Sequence, residues 1–205
     1  MNEEFDEPEG DVLDSVFDAR DVGPVIDDDY DDEVEDADED TADEDDDYED
    51  ATAEEIDFVV ALYREDGAPV AVEMAYALAN DLDDLIIMLR RLPGDAGAIG
   101  LVSIEGEFFV IVRVRGRNVQ VLLSDAVAAN DWPIARDVVD FLGIDIPDED
   151  DDPEPVGDLG LLSDAGVTDF DMETIIGDYD DESDEMIRRI VADLKFTTEF
   201  DRAVK

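Results

Sequence analysis

The chain has 205 residues, with 13 Lys and Arg against 64 Asp and Glu, a formal net charge of -51. Such a charge opposes direct binding of nucleic-acid phosphates or anionic membranes by the protein as a whole, and it favours basic protein partners, cations or a role in solubility. With no Cys and no His, disulfides, Cys/His zinc sites and thiol nucleophiles are excluded, and the usual general base at neutral pH is missing.

Residues 1–55 are predicted to be a disordered acidic tail. From 27 to 50 every residue is acidic except Tyr30, Val34, Ala37, Thr41, Ala42 and Tyr48, and no basic residue falls between Arg20 and Arg64. Carboxylates at that density repel one another, and there is too little apolar surface to offset backbone ordering. Val12, Leu13, Val16 and Phe17 would share one face if residues 11–20 were helical. They are either a random apolar cluster or a segment that folds on a partner. The opening Met-Asn-Glu-Glu lacks the basic and apolar regions of a signal peptide, and no apolar run reaches membrane-spanning length. A cytoplasmic location is expected.

Residues 56–146 are predicted to form an α+β domain. Residues 58–63 and 69–73 read as strands joined by a turn at Glu65-Asp66-Gly67. Leu78, Leu82, Leu85, Ile86 and Leu89 recur at helical spacing, with Asp81, Asp83 and Asp84 near the start, Arg90 and Arg91 at the end, and Pro93-Gly94 as the stop. Residues 98–104, 107–114 and 118–123 are rich in β-branched and aromatic side chains. Turns at Glu105-Gly106 and Gly116 make them an antiparallel meander. Ser124-Asp125 can cap a short helix, and Pro133 opens another that ends at Gly143. Residues 147–157 are an acidic linker, and 158–205 read as a helical segment, with apolar stripes such as Met186, Ile187, Ile190, Val191 and Leu194. The pattern leaves open whether that segment packs on the sheet. The expected fold is therefore α+β: an antiparallel five-strand sheet with a helix on one face, then a C-terminal helical segment, all behind a disordered acidic tail.

The search for chemistry gives no catalytic, metal or cofactor residues. No P-loop, GxGxxG or GxSxG pattern occurs. An EF-hand beginning at Asp178 would have Ser183 at its sixth position and Arg189 at its twelfth, so that pattern fails. Among so many carboxylates, pairs such as Asp57 and Glu105 carry little weight, although a carboxylate- or metal-dependent hydrolase stays the alternative reading. The main expectation is a non-enzymatic interaction or regulatory protein without a cofactor.

Two features are candidates for interaction. Arg113, Arg115 and Arg117 fall within one hairpin of a chain short of cations. Arg113 and Arg115 point to the face shared by Phe109 and Ile111, while Val110, Val112 and Val114 point to the other. They either pair with carboxylates of the chain itself or form an anion- or partner-binding patch. Trp132 is the only tryptophan. In Asp131-Trp132-Pro133 it either packs on the core behind an Asp131 N-cap or lies exposed as an interface anchor.

Gly100-Leu101-Val102-Ser103, the stretch from Phe108 to Gly116, and Leu122-Leu123-Ser124-Asp125-Ala126 through Asp131-Trp132-Pro133 carry a resemblance. So do Leu92-Pro93-Gly94, Asp184-Glu185-Met186 and Phe200-Asp201-Arg202-Ala203-Val204. Together they resemble the actinobacterial tRNA adenosine deaminase-associated proteins over most of 56–205, and not in the tail. The resemblance implies a protein partner, a tRNA adenosine deaminase, with no catalytic or binding residues to carry over. That deaminase chemistry needs zinc held by His and Cys and a catalytic Glu, so a chain without His or Cys is not the deaminase. An acidic tail that imitates phosphate charge could occupy a basic tRNA-binding surface.

Overall fold

The computed structural model describes residues 49–94, 96–178 and 181–205, all within one compact unit. The expected tail, apart from 49–55, and the apolar segment at 11–20 lie outside the described residues.

Six strands form one sheet: β1 (Ile56–Glu65), β2 (Ala68–Glu73), β3 (Ala98–Ile104), β4 (Phe108–Arg115), β5 (Asn118–Leu123) and β6 (Val156–Gly157). Their order is β2-β1-β3-β4-β5-β6, and every pair is antiparallel. Asp66 and Gly67 both have positive φ, as do Glu105 and Gly106. At Asp66-Gly67 that is the backbone of a primed two-residue turn, which matches strand twist, whereas Ile104 and Phe108 pair across the three residues Glu105, Gly106 and Glu107. Five helices accompany the sheet: α1 (Leu82–Leu89), α2 (Pro133–Leu142), α3 (Asp169–Ile176), α4 (Ser183–Asp193) and α5 (Thr197–Ala203).

Alternation along the strands divides the core in two. On one face Val59, Ala61, Val102, Val110, Val112 and Val114 pack under α1 and α2. On the other, Val60, Leu62, Leu101, Phe109, Ile111 and Leu122 pack under α3, α4 and α5. The chain is thus a three-layer α/β/α arrangement, whereas the sequence suggested a helix on one face only. The C-terminal helices are the second layer, and the expected linker supplies β6. The second helical layer has a direct physical cause. Every residue of β3 is buried, and every residue of β4 except Arg115, so both faces need cover.

A bulge corrects the parity of β1. Ile56 pairs with Ile104 and Phe58 with Ser103, which leaves Asp57 without an opposite residue. Ile56 thereby joins the α1–α2 side of the core. Asp57 Oδ2 accepts from Ser103 Oγ at 2.8 Å and from Gly106 N–H at 2.9 Å. Ser103 Oγ also lies 2.7 Å from Ser183 Oγ, and Ser183 N–H donates to the Gly106 carbonyl at 2.8 Å. These bonds satisfy two buried hydroxyls and pin the start of α4 to the β3–β4 turn.

The single helix read over 78–92 is instead a 3-10 turn at Tyr76–Ala79 followed by α1. Side chains of the two intervening residues explain the break. Asn80 exchanges hydrogen bonds with the backbone of Ala51, and Asp81 caps α1 by accepting from Asp84 N–H at 2.7 Å. Ala51 is itself buried, so packing begins before Ile56.

Leu85 is fully buried and faces Gly100. Leu85→Asp places a charge there without a partner, at a cost of the same order as total domain stability. Circular dichroism of this variant should show loss of the cooperative unfolding transition. A folded Leu85→Asp protein would mean that α1 is not core.

Candidate functional site

The strand register collects cations at one end of the sheet. β1 and β4 both end there, and β3 and β5 both begin there. Arg64, Arg113 and Arg115 project on the α3–α5 face by alternation with Leu62 and Ile111. Arg117 sits in the β4–β5 turn, and Arg90 and Arg91 follow α1. Lys195 lies between Leu194, whose carbonyl accepts from Arg64 at 3.0 Å, and Phe196, whose ring lies 4.7 Å from the Arg64 guanidinium. These seven are more than half of the chain's 13 basic residues. At the opposite end stand Asp57, Glu105, Glu107 and Glu182, around the β3–β4 turn and the start of α4.

Within the basic end the arginines differ. Arg113 is 3% exposed. It donates to the Leu161 carbonyl at 2.6 Å and makes a two-pronged pair with Asp164, while its Nε is buried without a protein partner among the described residues. Of the two readings open for the arginine hairpin, Arg113 follows pairing within the chain: the turn that carries Leu161 and Asp164 covers it, and it does not lie on an open face. Arg115 stays at the surface, with its side chain 41% exposed, and shares Asp164 at 3.1 Å while reaching Gln120 at 3.2 Å. Arg117 is exposed. Gly97, at φ +83, lets Arg115 lie across the start of β3, since a Cβ there would stand 2.5 Å from Arg115 Cγ.

A cleft of about 240 Å³ opens beside these residues, lined by Arg64, Gly97, Arg113, Asp164, Leu194 and Phe196 among others. Lys195, between the lining residues Leu194 and Phe196, has φ 65, the left-handed region. Phe196 N–H bonds to the Val191 carbonyl and Lys195 N–H to the Ala192 carbonyl, so α4 ends in a Schellman motif with lysine at the position glycine usually holds. The sequence reading assigned Arg64 no role and Lys195 only that of a lysine open to amine chemistry, not a place at this end of the sheet. Their signal was weak, since one closes a strand and the other ends a helix far along the chain.

Trp132 is placed elsewhere. Its backbone, not the Asp131 side chain, occupies the N-cap position of α2, with no side-chain capping bond. Its ring packs on Phe108 with centroids 6.0 Å apart, on the α1–α2 side of the sheet. Phe108 and Arg113 lie roughly 17 Å apart along β4. The two sequence candidates thus sit at opposite ends and on opposite faces.

The Arg113 side-chain hydrogen bond, aided by the charges of Arg113 and Arg115, holds the Asp164 carboxyl below its usual range against some desolvation. Asp164→Ala leaves a buried guanidinium unpaired. The expected cost is about 2 kcal/mol, under the roughly 3–5 kcal/mol of a fully buried pair because Asp164 is half-exposed. Adding Arg113→Met should cost less than the sum of the single changes in a urea-melt double-mutant cycle. A depressed folded pKa gives stability that is present above the ordinary carboxylate range and lost as pH falls through the depressed value. The stability gap between the parent and Asp164→Asn should therefore close as pH falls. Additive costs and a gap independent of pH would show that the pair does not couple.

No solved structure matches the chain. Sequence comparison finds a curated relative, Protein Rv3753c of Mycobacterium tuberculosis (strain ATCC 25618 / H37Rv), 36% identical over 150 residues that span 72% of this chain and 87% of the relative. Residues 57–197, which hold the six described strands but for Ile56 and the helices α1 to α4, match the family described as Rv3753c-like tRNA adenosine deaminase-associated protein. The chain belongs to that family.

Proposed function

We propose that this chain is a non-enzymatic interaction protein that serves a tRNA adenosine deaminase in the cytoplasm. The observation that carries the reading is chemical. The family is described by its association with the deaminase, yet the chain has no His and no Cys with which to hold the zinc of such an enzyme. The catalytic centre therefore belongs to another protein. Among the described residues no group of carboxylates is placed to hold a metal ion, and none of the helices there is long and apolar enough to cross a membrane.

The exposed Arg115 and Arg117 would meet an acidic or phosphate-bearing group of the assembly, since arginine's planar fork favours bidentate contact with carboxylate or phosphate. Arg113 would act through the position of Asp164 and Arg115. The acidic stretch at 27–50 would compete for the deaminase's tRNA-binding surface by imitating phosphate charge.

The test uses the purified chain and the purified tRNA adenosine deaminase of the same organism. A complex should form by size-exclusion chromatography, the deamination rate on tRNA should change when the chain is added, and the chain alone should deaminate nothing. Arg115→Glu with Arg117→Glu should weaken the complex while leaving the fold intact. Absence of both a complex and a rate effect, or deamination by the chain alone, would overturn the reading.

A further inference from the structure

The cleft of about 240 Å³ at the basic end of the sheet holds two cations whose bonding is incomplete. The sheet supplies Arg64, Ile99 and Arg113, the turn at Ser163–Ala165 supplies Asp164, and the chain leaving α4 supplies Leu194 and Phe196. Register fixes the spacing. Arg113 stands opposite Ile99 on β3, and Ile99 stands opposite Leu62 on β1, two residues before Arg64. The two guanidiniums therefore leave from strands about 10 Å apart, with Ile99 between them.

A guanidinium carries five N–H donors in a fixed planar fork. Arg113 engages Asp164 with its end edge and the Leu161 carbonyl with the outer side of Nη1. What remains is the edge formed by Nε and the outer hydrogen of Nη2. Nε is buried without a partner among the described residues, in a residue only 3% exposed. A buried donor without an acceptor bears its full desolvation cost, so an acceptor from outside the chain would be held firmly there. Asp164 lines the cleft and Leu161 does not, so the unused edge, which lies away from Leu161, is the one that Arg113 offers to the cleft.

Arg64 lacks a counter-charge rather than an acceptor. It donates to the carbonyls of Gly67 and Leu194 at 3.3 and 3.0 Å and lies over the Phe196 ring, and among the described residues no carboxylate pairs with it. That is unusual in a chain with 64 Asp and Glu. The cleft thus has two guanidiniums against one carboxylate, Asp164, which is also shared with Arg115. Ile99, Leu194 and Phe196 add apolar wall.

We propose that this cleft binds a small organic acid, its carboxylate seated between the unused edge of Arg113 and the Arg64 guanidinium, and its apolar body against Leu194 and Phe196. A planar carboxylate meets a guanidinium edge with two parallel bonds. It supplies the acceptor that Nε lacks and offsets the charge of Arg64. The inference goes beyond the partner-protein reading, which rests on the exposed Arg115 and Arg117, neither of which lines this cleft.

The full isotope-labelled chain would be titrated with hexanoate and followed by NMR in about 0.15 M salt, where a Debye length of about 8 Å screens charge elsewhere on the chain. Hexanamide is the neutral control, and inorganic phosphate is an anion without an apolar body. Hexanoate should move the Arg113 Nε–H and Phe196 N–H signals saturably, hexanamide should not, and phosphate should need a higher concentration. Arg113→Lys keeps the charge but removes the edge, and should abolish the shift. Arg64→Gln should weaken hexanoate binding by about tenfold. Should Arg113→Lys fail to fold, the half-buried Arg64 still carries the test. Signals that stay still would mean that water alone serves Nε. That result, phosphate as effective as hexanoate, or equal affinity in the parent and Arg64→Gln would each overturn the site. Because the probe does not involve the deaminase, such a failure would leave the deaminase reading standing, and failure of the deaminase to bind would leave the cleft standing.

Discussion

The structure depends on a sheet that is apolar on both faces. β1, β3 and β4 present one apolar set to α1 and α2, mostly Val and Ala with Ile56, Ile104 and Phe108 at one end, and another, Phe58, Val60, Leu62, Ile99, Leu101, Phe109 and Ile111, to α3–α5. An antiparallel sheet usually leaves one face to water and shows it by alternating apolar and polar residues. Here alternation is between two apolar sets, so a single helical layer would leave several large side chains exposed, each worth about 1.5–3 kcal/mol when buried. The α3–α5 layer is thus required by the strands.

That requirement decides the fate of the arginines. Arg113 lies in the same row of side chains as Phe109 and Ile111, and the layer that covers those residues also covers it. Its charge is then held by Asp164 and a backbone carbonyl. One position further on, Arg115 passes the edge of the layer and stays in water. The same strand therefore carries one arginine buried against Asp164 and one that shares Asp164 from the surface. Antiparallel register adds Arg64 at this end and leaves Asp57, Glu105 and Glu107 at the other. A molecule of net charge -51 consequently has a polarised folded unit.

Much of this was legible in the sequence. The two hairpins, the meander and the α2 span from Pro133 to Gly143 follow from turn residues and proline, because each fixes backbone conformation locally. The continuous apolar run from Phe108 to Val112 is buried on both faces, which the expectation of a helix on one face did not draw from it. What sequence could not supply was the identity of the cover. Asp164 meets Arg113 across 51 residues of chain, and no local pattern names that partner. β6 is two residues long and lies in an acidic, proline-containing stretch, so its strand character comes from pairing with Leu122 and Leu123 rather than from propensity. At the opposite end, Trp132 was recognisable as unusual, but its neighbours Glu49, Asp50 and Glu55 come from a segment more than seventy residues earlier.

The most direct measurement is the stability of a chain that ends after Pro147. If the α3–α5 layer is a structural requirement of the sheet, this truncated protein should lack a cooperative unfolding transition and should bind a hydrophobic dye through its uncovered face. A truncated chain that stays monomeric and melts cooperatively near the temperature of the full protein would contradict the account, because the sheet would then need only one layer.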